Sequence, residues 1–494
     1  MNSTSTQPPI YLDSSPAAAH GLGYDYAPPR ALYVTHIPAI LLLTGLFTWM
    51  VGTEPALVFA AMVGAAVAVY MLWDWLINEG PTRFSTLLAM TLLLGYGLGA
   101  VNTWLTLPRS GLSLTNFLGT DEGIIARAMA AVLIVSAPLC FLGELYERPL
   151  FGSEFRLPLD HRTYLFIFLG TASVVVGFFT KQIGYMGGQV SSGELTVAAA
   201  LLTWMFPPLT GLTIAIFVAT RGRFMKLLTG GCMLILCALL MVIGRRTLIY
   251  TSVLVLFTLR LTGYRLRGTF FRKLLLLAGL GFFLAVGVTV FMLLRLAGFA
   301  AHSSENISLG QRIQIAMSWV EEGTALKRAT EANQTNAQKR TFVLGFFADV
   351  LEASMKRTPA LGKDLAGYTS MAIPRVLNPD KDLFFTEERL VDSQFGLTYG
   401  DAANSILTNG ATDFSLLGVI FYPLILVWLF RFCVDLLSGF LPALPVSFIA
   451  LGIIFNLLQT ENSIDLYLIT IRNVIIFAAI LLIFSRLPQF RLRS

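Results

Sequence analysis

Apolar residues along this chain come in runs of about 20, the length an α-helix needs to cross the roughly 30 Å hydrocarbon layer of a bilayer. Twelve runs can be read, over 32–51, 55–77, 84–107, 124–145, 163–180, 195–219, 225–243, 247–262, 273–296, 414–437, 443–459 and 465–485. Polar turns separate them, among them Gly52-Thr53-Glu54-Pro55, Asn78-Glu79-Gly80-Pro81 and the basic Thr220-Arg221-Gly222-Arg223. Gly244-Arg245-Arg246-Thr247 is read as a tight turn between two spans. Two arginines at mid-bilayer in one long helix would cost a few kcal/mol each.

One long polar stretch, 297–413, breaks the series. Within it Ile313, Met317 and Val320 recur at helical spacing, as do Val343, Phe347, Val350, Leu351 and Met355, with Glu352 four residues before Lys356. Pro359 stops the second helix. The pattern predicts two amphipathic helices lying over the outer face of a bundle, then an irregular stretch over 358–412. The predicted fold is therefore all-α: a polytopic bundle of about 12 transmembrane helices with one long extracytoplasmic loop. Its parts are a disordered tail (1–31), a first bundle part (32–296), the loop (297–413), a second bundle part (414–485) and a basic tail (486–494).

Composition decides against the alternative that 494 residues would otherwise favour, several soluble domains. Hydrophobic residues make up 55% and charged residues only 13%, with a mean hydropathy of +0.70. A soluble globule carries about a quarter of its residues as charges. A cytosolic enzyme, a secreted domain and a nucleic-acid binder are thereby excluded. The net charge of +6 is then a statement about topology. With the N-terminus inside, inner loops hold Arg148, Arg156, Arg162, Arg221, Arg223, Lys226, Arg260, Arg265, Arg267, Arg272, Lys273 and Arg431. The tail adds Arg486, Arg491 and Arg493, whereas the short outer loops hold only Arg109, Lys181, Arg245 and Arg246. Both termini are expected in the cytoplasm and the long loop outside it. The first thirty residues contain no apolar h-region, so no cleavable signal peptide is expected. Cys140, Cys232, Cys237 and Cys433 each lie in or beside an apolar segment, which indicates neither a disulfide framework nor a thiolate metal site.

Candidate chemistry concentrates in the irregular stretch. It reads Met371-Ala-Ile-Pro-Arg-Val-Leu-Asn-Pro-Asp-Lys-Asp382, followed by Glu387, Glu388, Arg389, Asp392, Gly400, Asp401 and Asn404. Arginine forks beside a membrane suit a lipid-linked diphosphate, because a guanidinium matches phosphate oxygens bidentately and a lysine adds a point charge. A solvated, salt-bridged loop is the plain alternative. In the last span Arg472 follows Asp465 by two turns, with Glu461 just before it. Either Asp465 and Arg472 pair to fix helix register, or Arg472 faces the diphosphate while Glu461 lines an acceptor groove. Arg127 has no partner that the sequence names, and Asp74 and Glu144 read as snorkelling or interfacial groups. Asp380-x-Asp382 spells a metal-binding pair, but no Cys/His ligand spacing, Walker loop or dinucleotide fingerprint appears.

This layout resembles the Wzy-type polysaccharide polymerases, the multispan glycosyltransferases of bacterial O-antigen and exopolysaccharide assembly. Ile373-Pro374-Arg375…Pro379-Asp380-Lys381 is similar to the Pro-Arg…Pro-x-Lys element of their outer loops. Gly244-Arg245-Arg246 resembles a Gly-x-Arg at an outer helix end, and Thr408 to Gly418 resembles the re-entry into the next span. Arg389 and Gly400 fit an Arg-x10-Gly spacing. The resemblance implies transfer of a glycan from polyprenyl diphosphate to a sugar hydroxyl of a second lipid-linked repeat unit, at the outer face of a bacterial inner membrane. It implies catalytic roles for Arg375, Arg389, Arg245, Arg246, Arg472 and Glu461. Lys381, Asp392, Asp401, Asn404 and His302 become substrate contacts. No metal and no cofactor are implied; the partners are lipid-linked oligosaccharides, the bilayer and a chain-length regulator protein, with no nucleic acid. An O-antigen-ligase-like transferase, which would look to a loop histidine such as His302, stays open, and so does a scaffold for polysaccharide export. A twelve-span secondary transporter is disfavoured by the lack of a visible repeat between halves.

The charge asymmetry makes a topological prediction. A cysteine placed at Asn333 should react with an impermeant maleimide in intact cells, and one at Gly268 only after the membrane is opened. Labelling at 268 in intact cells would reverse the orientation.

Overall fold

The computed structural model describes residues 30–77, 82–107, 113–150, 159–180, 182–183, 196–261, 270–300, 309–339, 342–374, 377–379, 387–398 and 404–486. Among these residues there is no strand. Apolar runs of this length must satisfy their own backbone groups wherever water is absent, and a helix does so within one segment. In chain order the helices are α1 (Ile37–Val51, entered through a π-helical turn at Leu32–His36), α2 (Glu54–Ile77), α3 (Phe84–Leu92), α4 (Gly99–Thr106), α5 (Leu114–Leu118), α6 (Glu122–Tyr146), α7 (His161–Phe179), α8 (Val197–Ala219), α9 (Arg223–Ile243), α10 (Arg245–Leu261) and α11 (Phe270–Ala300). They continue as α12 (Leu309–Glu321), α13 (Ala325–Lys339), α14 (Phe342–Lys356), α15 (Lys363–Ala372), α16 (Glu387–Phe395), α17 (Ile406–Ser438), α18 (Ala443–Leu457) and α19 (Ile464–Arg486).

Among the described residues ten stretches of helix are long and apolar enough to cross a membrane, one of them being α3 and α4 joined by a π-helical turn at Leu93–Leu98. The shorter α10 and α18 pack among them against α8. The chain is thus a multi-pass membrane protein. Helix α9 ends at Ile243 and α10 begins at Arg245, so the chain breaks at Gly244 as the two arginines require. At the helix starts, Asp160 accepts from Thr163 N at 3.0 Å and Thr196 from Ala199 N at 3.1 Å, satisfying backbone donors that the first turn leaves open. Helix α6 is the hub, packed against α1, α2, α3, α14 and α17.

The long connection between α11 and α17 departs from the expectation of two surface helices and an irregular tail. It holds α12 to α16, and helix resumes at Ile406, inside the stretch expected to be irregular. Helix α14 does not lie over the bundle. Its Val343, Phe346, Phe347, Val350 and Leu351 are buried, and it packs into α6 and α17. Residues 406–413 are buried as well, and a buried backbone without regular pairing would leave polar groups unmet. Helix α17 breaks at Phe414 and Ser415, where Ser415 takes a left-handed φ of 54°. The break lets Gly410 and Gly418 meet backbone to backbone, so closely that a Cβ on either would overlap the other's main chain.

At the end of the bundle away from that connection lies an ionic layer absent from the sequence reading. Asp74 and Glu144 do not snorkel. Arg83, 2% exposed, donates from Nη1 to Glu144 Oε2 at 2.6 Å. Arg30 donates its backbone N–H and Nε to Glu144 Oε1 at 2.9 and 3.2 Å and pairs with Asp74, which also accepts from Tyr33 Oη at 2.9 Å. Glu147 accepts from Phe84 N at 2.6 Å and from Ser85 N at 3.0 Å; burial pushes its carboxyl above the usual range against these bonds.

Removing one partner of such a buried layer leaves the other charge uncompensated. Arg83→Ala should lower stability by about 3 kcal/mol, read as a drop in melting temperature in detergent, and adding Glu144→Gln should recover part of the loss. An unchanged melting temperature in Arg83→Ala would mean that the layer does not hold α3 to α6.

Candidate functional site

The span formed by α3, the π-helical turn and α4 outreaches its neighbours. Tyr96, in the turn, shares a hydrogen bond of 2.6 Å with Ser405 Oγ, and Thr460 Oγ1 donates to Thr91 O at 3.0 Å. Tyr96 lies ten residues before Thr106, the end of α4, which is about 15 Å at helical rise. The start of α17 and the turn between α18 and α19 are therefore recessed below that end. Gly95 makes the recess possible, since a Cβ there would overlap the side chain of Thr460. The π-helical turn re-aims Tyr96 towards Ser405, a common use of such turns.

A buried polar network floors the recess. Asp413 accepts from Asp364 N at 3.0 Å and Leu365 N at 2.9 Å, capping the start of α15, and from Tyr422 Oη at 2.7 Å. Asn409 donates to Asp364 Oδ2 at 2.7 Å and accepts from Ile464 N at 2.9 Å. Ser405 caps α17 through Leu407 N and Thr408 N. Asn409 and Asp413 thus fasten α15, α17 and α19 to one another. Sequence reading missed them, although Thr408/Thr412 and Asn409/Asp413 form two polar pairs four residues apart, the spacing of one helix face.

Four of the residues expected to act lie on α10, in the α18–α19 turn and on α19. Arg246, on the first turn of α10, forms an ion pair with Glu461 in the α18–α19 turn, beside Arg245. The Arg246 side chain remains 45% exposed and that of Glu461 15%. Arg472 is half-buried in α19. Its Nη1 donates to Ala372 O at 3.1 Å, at the C-terminus of α15, where carbonyls are unpaired and the helix dipole favours a cation. Its Nε and Nη2 reach Asn473 Oδ1 at 3.3 and 3.1 Å. The expected pairing of Arg472 with Asp465 does not form: Asp465 accepts from Ser463 Oγ instead. Among the described residues Arg472 has no carboxylate partner.

Ala372 leads directly into Ile373 and Pro374, and beyond them Asn378 donates from Nδ2 back to Ser370 O at 3.0 Å. Ala372 is thereby held beside Arg472, and Asn378 is tied back to the last turn of α15. Arg375 itself lies outside the described residues, as do Lys381, Asp401, His302 and the Asp380/Asp382 pair. Arg389 and Asp392 stand elsewhere, on α16, which packs against α14 and is tied down by Arg357 to Phe395 O and by Gln394 Nε2 to Thr358 O at 2.9 Å. Arg389 is exposed there, and Asp392 accepts from Thr398 Oγ1 at 2.9 Å. Asn404, one residue before the α17 cap, has a buried Oδ1 with no hydrogen-bond partner among the described residues. Arg127 gains the partner that its sequence context did not name, Glu352 of α14 at 3.6 Å, which also holds Lys356 at 2.8 Å.

Chemically, the described residues here offer one guanidinium with no carboxylate partner among them, a second that shares its charge with Glu461, and an amide acceptor they leave unmet. Such a set can neutralise an anion and orient a hydroxyl. Among the described residues no three His, Cys, Asp or Glu side chains come together as a metal site. No family model, curated protein or solved structure matches this chain.

Asp413→Ala would strand two backbone donors and a tyrosine hydroxyl in a dry site. The expected loss is about 3 kcal/mol, measured as a lowered melting temperature, with Asp413→Asn intermediate because it keeps one acceptor. Wild-type stability in Asp413→Ala would show that α15 is held by packing alone.

Proposed function

We propose that this chain is a membrane glycosyltransferase that polymerises polyprenyl-diphosphate-linked oligosaccharide repeat units into a cell-surface polysaccharide. In this reading the recess opens at the outer face of a bacterial inner membrane and both termini are cytoplasmic. The observation that carries it is the position of Arg472: a guanidinium with no carboxylate partner among the described residues, at the end of the helix that leads into Ile373 and Pro374. An acceptor sugar hydroxyl attacks the anomeric carbon of the donor glycan, and the bond from that carbon to the diphosphate oxygen breaks. The departing polyprenyl diphosphate gains negative charge, which Arg472 and Arg375 offset through charge-assisted bonds. The hydroxyl proton passes to a carboxylate, and Glu461, held by Arg246, is the candidate acceptor. The amide oxygen of Asn404 suits a sugar hydroxyl. An O-antigen-ligase-like transfer would use the same donor chemistry with a different acceptor.

A transport reading is favoured by one observation, the broken α17 with its short buried half at 406–413. Interrupted helices of this kind line substrate sites in secondary transporters. Here the groups that the break exposes are already engaged, Asp413 with three donors and Asn409 with two partners.

The test is single-turnover transfer between purified lipid-linked repeat units in detergent. Arg472→Ala and Arg375→Ala should each slow transfer about 10- to 100-fold while folding is kept, and Lys at either position should rescue only part, since it loses the planar fork. Arg389→Ala should weigh less, because α16 rests on α14. Polymer of wild-type length from both Arg472→Ala and Arg375→Ala would remove the recess from catalysis. Accumulation of a solute in proteoliposomes without any transfer would favour the carrier.

A further inference from the structure

Helix α12 has three faces where a helix on a wet protein surface needs two. At about 100° per residue, Arg312, Ala316 and Trp319 form one face; all are buried against α11 and α13. Gln311, Gln314, Ser318 and Glu321 form a second, exposed and polar, which suits water. Ile313, Met317 and Val320 form the third, spaced i, i+4, i+7 and exposed at 45%, 52% and 53%. A protein-facing side, a water-facing side and a separate apolar side describe a helix at the boundary of two solvents.

The position of α12 along α11 says which second solvent that is. Helix α11 has 31 residues and is about 46 Å long, against about 30 Å of hydrocarbon. Its exposed apolar side chains run from Leu274 and Leu275 through Phe282 and Val286 to Val290, a lipid-facing band. From Phe291 onward the helix is instead buried by Ala316 and Trp319 of α12 and Ala329 of α13. The Arg312 guanidinium lies against Gly298 in the last turns of α11, where a Cβ would overlap it. So α12 packs on the last turns of α11's apolar span, Gly281–Gly298, at the end of the span and hence near the level of the headgroups. Helix α13 adds an exposed leucine, Leu326, followed by Lys327 and Arg328, with the Arg328 guanidinium 4.9 Å from the Trp319 ring centroid. Aromatic and basic residues gather at that level of a bilayer.

We propose that α12 lies in the bilayer interface and inserts Ile313, Met317 and Val320 among the lipid headgroups and first acyl carbons. The occupant of the apolar face is lipid, continuous with the lipid that covers α11 below it. The helix then fixes the height of the α11–α17 connection over the membrane. This inference does not depend on the glycosyltransferase reading or on which side of the membrane the connection faces.

The test uses the full chain with its four native cysteines replaced, carrying Met317→Cys or Gln314→Cys labelled with an environment-sensitive NBD dye, in phosphatidylcholine–phosphatidylglycerol vesicles. Two quenchers are compared, iodide on both sides of the vesicle and a lipid with a doxyl group near its headgroup. The Met317 site should be quenched by the doxyl lipid and about fivefold less by iodide than the Gln314 site, which faces water. Equal iodide quenching at both sites without doxyl quenching would overturn the proposal in favour of a solvated helix. Protection of the Met317 site from both quenchers would overturn it in favour of a protein partner or a second copy of the chain. Val320→Cys reads the same face should Met317→Cys fail to fold.

Discussion

Everything in the recess depends on Asp413, a carboxylate buried where water cannot reach it. Alone it would be costly to keep ionised. Its oxygens are met by the first two backbone donors of α15 and by the Tyr422 hydroxyl, so its charge lies at the positive end of a helix dipole. Asn409, one turn earlier, completes the set by spanning Asp364 and the start of α19. Three elements distant in sequence are thereby fixed by two side chains on one face of a half-helix. Fully met, such a network specifies one arrangement; partly met, it would be worse than an apolar core.

That arrangement requires the break at Phe414–Ser415. An uninterrupted helix from Ile406 would carry Gly410 about 12 Å from Gly418, whereas here the two are in contact. The fold-back places Asp413 beside Tyr422 and turns the α15 cap inward. Ser415 takes a left-handed conformation to do so, which favours glycine, and the surrounding contacts hold it there. The C-terminus of α15 then ends beside Arg472, and its unpaired carbonyl becomes the acceptor that Arg472 needs. A capping carboxylate at one end of α15 and a guanidinium at the other oppose each other along the same dipole, so α15 is held at both ends by electrostatics suited to its direction.

How much of this was legible beforehand follows from the range of each signal. Apolar runs and the Gly244 turn are local, and both appear where the sequence places them. The stripe Ile313, Met317, Val320 is also local and was read as a helix face, but periodicity cannot say what covers a face, and here none of the described residues does. Partners far apart in sequence left no mark: Arg30 and Arg83 with Glu144, Arg127 with Glu352, Arg246 with Glu461. The seven-residue spacing of Asp465 and Arg472 looked like a pair because two turns bring residues to one face. It fails because two turns also separate them by about 10 Å along the axis, and nearer acceptors take the guanidinium. The expectation that 358–412 is irregular came from its Gly, Pro, Asp and Asn content, which reads as turns in water; enclosed by the bundle, the same Asn and Asp at i, i+4 serve a buried helix instead.

The two ends of the bundle use charge in opposite ways. Away from the long connection, Arg30 and Arg83 are matched by Asp74 and Glu144 at short range, and Arg83 is sealed from solvent. A cavity opens on this layer, lined by Arg30, Tyr33, Asp74, Trp75 and Arg83, but both guanidiniums there are already paired with carboxylates. At the recess, Arg246 shares one carboxylate while keeping nearly half of its surface, and Arg472 spends its donors on a carbonyl and an amide rather than on a charge. Among the described residues these neutral acceptors leave the positive charge of Arg472 without a carboxylate to cancel it. The two kinds of arginine are distinguished here by the charge of their acceptors rather than by depth: carboxylates for Arg30 and Arg83, a carbonyl and an amide for Arg472.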